Sequence, residues 1–161
     1  IGAPAPMSSL MDLVAGDVRD IVLALSVDDM AAFDDPDRFV AHLPLGGGLD
    51  PTWLDLFSEA VRSVTGSEEL EDFLDARSDL EGAASVERIV DRVDPAWIEE
   101  VAQLPDSQLG ALAGRWIELL EEELGLLPRE EKPWIRDLAG RIVTFCRAAT
   151  VARDVVFAWA F

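Results

Sequence analysis

Histidine and cysteine are where nucleophilic or acid–base chemistry most often begins, and this chain has one of each, His42 and Cys146, and no tyrosine. A Ser-His-Asp or Cys-His arrangement would have to run through His42. Cys146 follows Ile142 by four residues, on the apolar side of a helical pattern, where a thiol behaves as a small inert hydrophobe. His42 directly precedes Leu43-Pro44, a place that suits an imidazole closing a helix end. With a single cysteine there is neither an internal disulfide nor a multi-cysteine metal site, and one imidazole is a poor basis for zinc.

The other chemical motifs dissolve on inspection. Gly46-Gly47-Gly48 has neither dinucleotide-binding nor P-loop spacing, lacks a nearby lysine, and runs into Asp50, which repels phosphate. Asp28-Asp29 and Asp34-Asp35-Pro36-Asp37 form the densest acidic cluster, without the alternating ligands and closing glutamate of a calcium loop. Carboxylate pairs for acid–base catalysis are uninformative in a chain this rich in acids. No catalytic residue, metal ligand or cofactor is therefore assigned. The candidate binding residues are Asp50, Trp53 and His42.

Thirty-two acidic residues face 13 basic ones, a formal charge of −19, and Lys132 is the only lysine. Such a surface repels nucleic-acid phosphates and anionic membranes, so neither is an expected partner. It attracts a basic protein and speeds that encounter; it also keeps a chain that is 50% hydrophobic in solution. No apolar run approaches the ~20 residues of a membrane span. Ile1–Pro6 reads as an expression remnant, with neither the basic nor the apolar region of an export signal. Residues 7–161 read as one domain, and the expected compartment is the cytoplasm.

The elements that must position these groups read as mostly helical. Asp35-Pro36, Asp50-Pro51 and Asp94-Pro95 each pair a capping carboxylate with a proline suited to the first turn, and each predicts a helix start. The first such helix carries Phe39, Val40 and Leu43 and stops at Pro44. The second carries Trp53, Leu54, Phe57 and Val61, and the third Trp97, Ile98 and Val101. Asp17 caps a helix bearing Val18, Ile21, Val22 and Leu25, and Ser26 with Asp29 opens a further turn. Ser67 caps one bearing Leu70, Phe73 and Leu74, and Ser85 one bearing Ile89, Val90 and Val93, with residues 76–84 between them as loop. Asp106 opens a longer helix that Gly125 ends, and Pro133 opens the last. Leu10–Val14 and Val155–Trp159 read as strands, and two lone strands must pair to be stable. The class is α+β: a helical domain with two short strands near the termini. The five tryptophans, Trp53, Trp97, Trp116, Trp134 and Trp159, all fall at apolar positions, as core or as the lining of a pocket.

Leu49-Asp50-Pro51-Thr52-Trp53-Leu54-Asp55-Leu56 and Phe145-Cys146-Arg147-Ala148-Ala149, followed by Asp154–Trp159, resemble the early helix and the closing helix and strand of the YfbM-like family of uncharacterised bacterial proteins. The resemblance extends over about residues 8–161 in layout, strand first and strand last. It departs from that family at Phe57, where a histidine stands in the family, and at Gly66, a glycine that comes late. It implies a fold and no chemistry. Three functions follow as expectations: a non-catalytic interaction protein engaging a basic partner through its acidic surface, as immunity proteins do by analogy of charge; a small-molecule binder with a tryptophan-lined pocket; and a carboxylate-based enzyme.

Overall fold

The structure, a computed structural model, describes residues 10–47, 49–80 and 88–160. Five strands form one antiparallel sheet: β1 (Leu10–Gly16), β2 (Ala41–Gly47), β3 (Arg77–Asp79), β4 (Arg88–Val93) and β5 (Asp154–Ala160), in the order β2-β1-β5-β4-β3. The helices are α1 (Val18–Ser26), α2 (Thr52–Thr65), α3 (Pro95–Ala102), α4 (Leu109–Leu124) and α5 (Lys132–Ala149). The α+β class is as the sequence implies, and the terminal strands pair, with Leu13 opposite Phe157 and Ala15 opposite Val155.

Strand alternation divides the core between the two faces of the sheet. Met11, Leu13, Leu43 and Phe157 point toward α2–α5 and join Phe57, Trp97, Trp116 and Ile142 in the larger cluster. Val14, Val90 and Val156 point the other way, onto Ile21 of α1, Phe33 of the 3-10 turn Met30–Asp34, and Phe39 just before β2. Both layers have to be apolar for the central strands to be covered on both sides, which explains the unbroken Val155-Val156-Phe157 run.

Helix boundaries follow local chemistry. Asp17, Asp50 and Asp94 each accept a first-turn backbone N–H, from Arg19, Thr52 and Ala96 at 2.9, 2.7 and 2.9 Å. Pro51 and Pro95 follow two of these carboxylates, so the expected Asp-Pro starts of α2 and α3 hold. Gly66 closes α2 with φ +73°, a left-handed backbone that any side chain would strain. The helix after Asp106 begins as the 3-10 turn Asp106–Gln108 and becomes α4 at Leu109.

Several expectations are corrected. The Asp35-Pro36 helix does not form: Asp35 Oδ1 accepts from Asp37 N in a turn, and Ala41–Gly47 is strand. Leu43 and Leu45 alternate inward while Pro44 is exposed, and a proline is tolerated because β2 is an edge strand. Ser67 opens no helix, since Glu68, Glu69, Glu71 and Asp72 place like charges at helical neighbour distances. Leu70 and Phe73 are buried from an irregular segment instead. Arg77–Asp79, expected as loop, is strand, and Ile89, Val90 and Val93 lie on β4 rather than on a helix. A short β-branched run buried on both faces is hard to tell from a helix by periodicity. Ser26 caps nothing, because its hydroxyl donates back to the Leu23 carbonyl. Ser85, Gly48, residues 81–84 and Ile1–Pro6 lie outside the described residues.

Candidate functional site

The three residues named for binding occupy separate places. Asp50 spends its carboxylate on the α2 cap. Trp53 lies in the first turn of α2, buried, with its ring edge-on to Trp116 at 6.3 Å. His42 is on β2, and its ring lies on the opposite face of the sheet, 5.4 Å from Phe33.

His42 is held between two carboxylates. Its Nε2 lies 2.7 Å from Asp12 Oδ1 on β1, and its Nδ1 lies 2.8 Å from Asp34 Oδ1 at the end of the 3-10 turn. A carboxylate on each ring nitrogen favours the form in which both nitrogens donate, the imidazolium. Burial opposes that charge, but the hydrogen bonds to Asp12 and Asp34 outweigh it and hold the pKa above the ordinary 6.5. Both ring nitrogens are taken by these carboxylates, and neither contact involves Cys146. Cys146 is fully buried on α5, and burial alone pushes its thiol far up. His42 is a clamp joining β1, β2 and the 3-10 turn.

Because the native pKa is raised, the clamp's contribution is complete below pH 6.5 and is lost as pH rises through the native pKa. The imidazole of the only histidine should therefore titrate by NMR with a midpoint above 6.5. His42→Ala should lower unfolding free energy by about 3 kcal/mol near neutral pH, with a smaller loss at alkaline pH. A midpoint at or below 6.5 removes the clamp.

The acidic residues, by contrast, gather. Glu69, Glu71, Asp94 and Glu100 line a depression of about 150 Å³ between the irregular segment before β3 and the start of α3, with Trp97 beneath. No cation is among its described lining residues. Ser67 Oγ lies 3.4 Å from Glu100 Oε2 and connects it to a shallower groove lined by Glu59, Glu68 and Arg62. Arg62 is already occupied, donating to the Leu70 carbonyl at 2.8 Å and to Asp72 at 2.7 Å. The cluster needs β3 and α3 to be side by side, which Asp94 N donating to the Ala76 carbonyl at 2.7 Å secures. Reading Ser67 as a helix cap obscured it; the signal that was present is the density of acids from Glu68 to Asp75.

A further carboxylate pair lies across β3 and β4, where Asp79 is in register with Asp91. Asp91 is buried, which pushes its pKa up; Arg77 pulls it down and Asp79 pushes it up again. No group of three or more metal-ligating side chains is assembled among the described residues, and no helix among them is long and apolar enough to cross a membrane.

The tryptophans are mostly spoken for. Trp97 Nε1 donates to Ser58 Oγ at 3.0 Å and Trp116 Nε1 to the Trp53 carbonyl at 2.9 Å, both within the core. Trp134, expected at an apolar position, is 40% exposed.

No family model, curated protein or solved structure matches this chain.

Proposed function

We propose that the protein is a non-catalytic interaction module whose acidic depression receives a cationic side chain of a basic protein partner. The observation that supports this reading is the gathering of Glu69, Glu71, Asp94 and Glu100 around one recess with no cation among its described lining residues. At about 150 Å³ the recess is smaller than the ~300–1,000 Å³ of typical small-molecule sites. It suits the head of an arginine or lysine, and carboxylates with a buried aromatic behind them are suitable partners for a guanidinium.

The two other functions draw less support. Trp97 alone of the tryptophans reaches this recess, and its N–H is already used inside the core. The Asp79–Asp91 pair is tied to a buried arginine, as a structural ion pair is. Kinship with the YfbM-like family, part of the same proposal, adds no chemistry because that family has none assigned.

The test is kinetic. A partner captured by the immobilised protein should be basic. Its association rate should fall steeply between 0.1 and 1 M salt, as the Debye length shrinks from ~10 to ~3 Å, while its dissociation rate changes far less. Glu69→Gln/Glu71→Gln/Glu100→Gln should speed dissociation about tenfold. Glu122→Gln/Glu123→Gln/Glu130→Gln, an equal change in net charge at exposed sites elsewhere, should leave dissociation unchanged. A neutral or acidic partner, or equal effects of the two triple variants, overturns the proposal.

A further inference from the structure

A second groove, of about 740 Å³, lies between β2 at the sheet edge, the start of α4 and the outer face of α5. It is remote in sequence from the acidic recess and independent of it. Leu43, Ala113 and Phe145 give it an apolar lining, and Leu109 extends that lining at the mouth.

Two features of this groove have no structural use. Arg136 and Arg141 line it, both are exposed, and neither guanidinium makes a hydrogen bond or ion pair with any described residue. Elsewhere in this acid-rich chain Arg62, Arg88, Arg92 and Arg147 are each held by a carboxylate, whereas Arg19 and Arg129 are exposed and their guanidinium groups unpaired among the described residues, but they do not line this groove. Even Asp137, in the same groove and four residues before Arg141, closes no ion pair on it. Gly140, in the middle of α5, also lines the groove, and a Cβ there would meet nothing within 4 Å. Glycine is among the poorest residues for a helix interior, and no close approach requires it here. Its effect is to leave the groove open between the two arginines.

We propose that this groove binds a small organic acid, a molecule with one carboxylate and an apolar body. The carboxylate is taken by Arg136 and Arg141, whose planar forks match its geometry. The body lies over Gly140 against Leu43, Ala113 and Phe145. The exposed hydroxyl of Thr144, one turn beyond Gly140 and free of any hydrogen bond to a described residue, is in reach of the polar end. The groove has the size of small-ligand sites. Net charge decides against an acidic polypeptide: a chain at −19 repels a ligand in proportion to the ligand's own charge, and a monoanion suffers least.

The experiment is an NMR titration of the backbone amides with octanoate and with hydrocinnamate, two acids with different bodies. Acetate serves as the control lacking a body and octanol as the control lacking a charge. Saturable shifts are expected in residues 41–43, 109–113 and 136–148, with both controls at least about tenfold weaker. Arg136→Gln/Arg141→Gln, which touches no core residue, should weaken the acids about tenfold or more. Gly140→Leu should abolish binding with a thermal midpoint no lower than that of the parent, because leucine is the better helix former. Absence of saturable shifts with either acid overturns the proposal, as does octanol binding as well as octanoate, or a double arginine variant that binds like the parent. An acidic peptide that occupies the groove where the acids do not also overturns it, and makes the occupant a polypeptide.

Discussion

Replacing Trp116 with alanine should cost about 4 kcal/mol of unfolding free energy, whereas the same change at Trp134 should cost about 1. Trp116 is fully buried on α4. Its ring meets Phe57 edge-on at 5.1 Å and Trp53 at 6.3 Å, and its indole N–H donates to the Trp53 carbonyl. Removing it opens a cavity between α2 and α4 that neighbouring aromatic rings cannot fill without leaving their rotamers. Trp134 meets the same Trp53 ring at 6.3 Å but is 40% exposed, so water takes the vacated space. Urea unfolding followed by far-UV circular dichroism measures both losses, and for a domain of this size the Trp116 variant should also melt about 10 °C lower. Equal losses at the two positions would mean that the α2–α4 contact does not hold the core together.

Nothing in the sequence separates these two tryptophans, because both sit at apolar positions of helical patterns. Local chemistry was legible: Asp17, Asp50 and Asp94 cap where their spacing to the following helix says they should, and the apolar ends of the chain pair as β1 and β5. What depended on distant partners was not. Ala41–Gly47 becomes a strand because β1 offers it an edge, and His42 finds Asp12 and Asp34 only once that register exists, across 30 and 8 residues of chain. Likewise Glu69 and Glu71 reach Asp94 and Glu100 only because the segment before β3 packs against α3. Arg136 and Gly140 are one helical turn apart, and Arg141 lies about 140° around the helix from Arg136, so the sequence itself puts the two arginines on opposite flanks of a stripe that contains Gly140. That the space opposite is open, and that neither arginine has an acid to hold it, belongs to the three-dimensional arrangement.

Arg77→Ala should be among the most damaging single substitutions, at about 3–5 kcal/mol near neutral pH. Arg77 is on β3, a strand of three residues at the sheet edge. Its guanidinium lies over Phe73 at 5.2 Å and Phe157 at 4.7 Å, and its Nη1 is 3.4 Å from Asp91 Oδ2, both side chains being largely buried. Arg77 Nε and Asp91 Oδ1 have no hydrogen-bond partner among the described residues, so each charge depends on the other for compensation. Truncating Arg77 leaves the Asp91 carboxylate in an apolar box beside Asp79.

The sign of the pH effect separates two causes of that loss. Burial already raises the Asp91 pKa above 3.8 with Arg77 present, and removing the arginine takes away the influence that lowers it. A carboxyl whose native pKa is raised penalises the folded state above that pKa and not below 3.8, where it is protonated in both states. The cost of Arg77→Ala should therefore be larger at about pH 7.5 than at about pH 5, and Arg77→Met/Asp91→Leu should recover most of it at both. If Arg77→Ala costs the same at the two pH values, the loss comes from the packing of the guanidinium between Phe73 and Phe157, and Asp91 is not what the arginine holds in place.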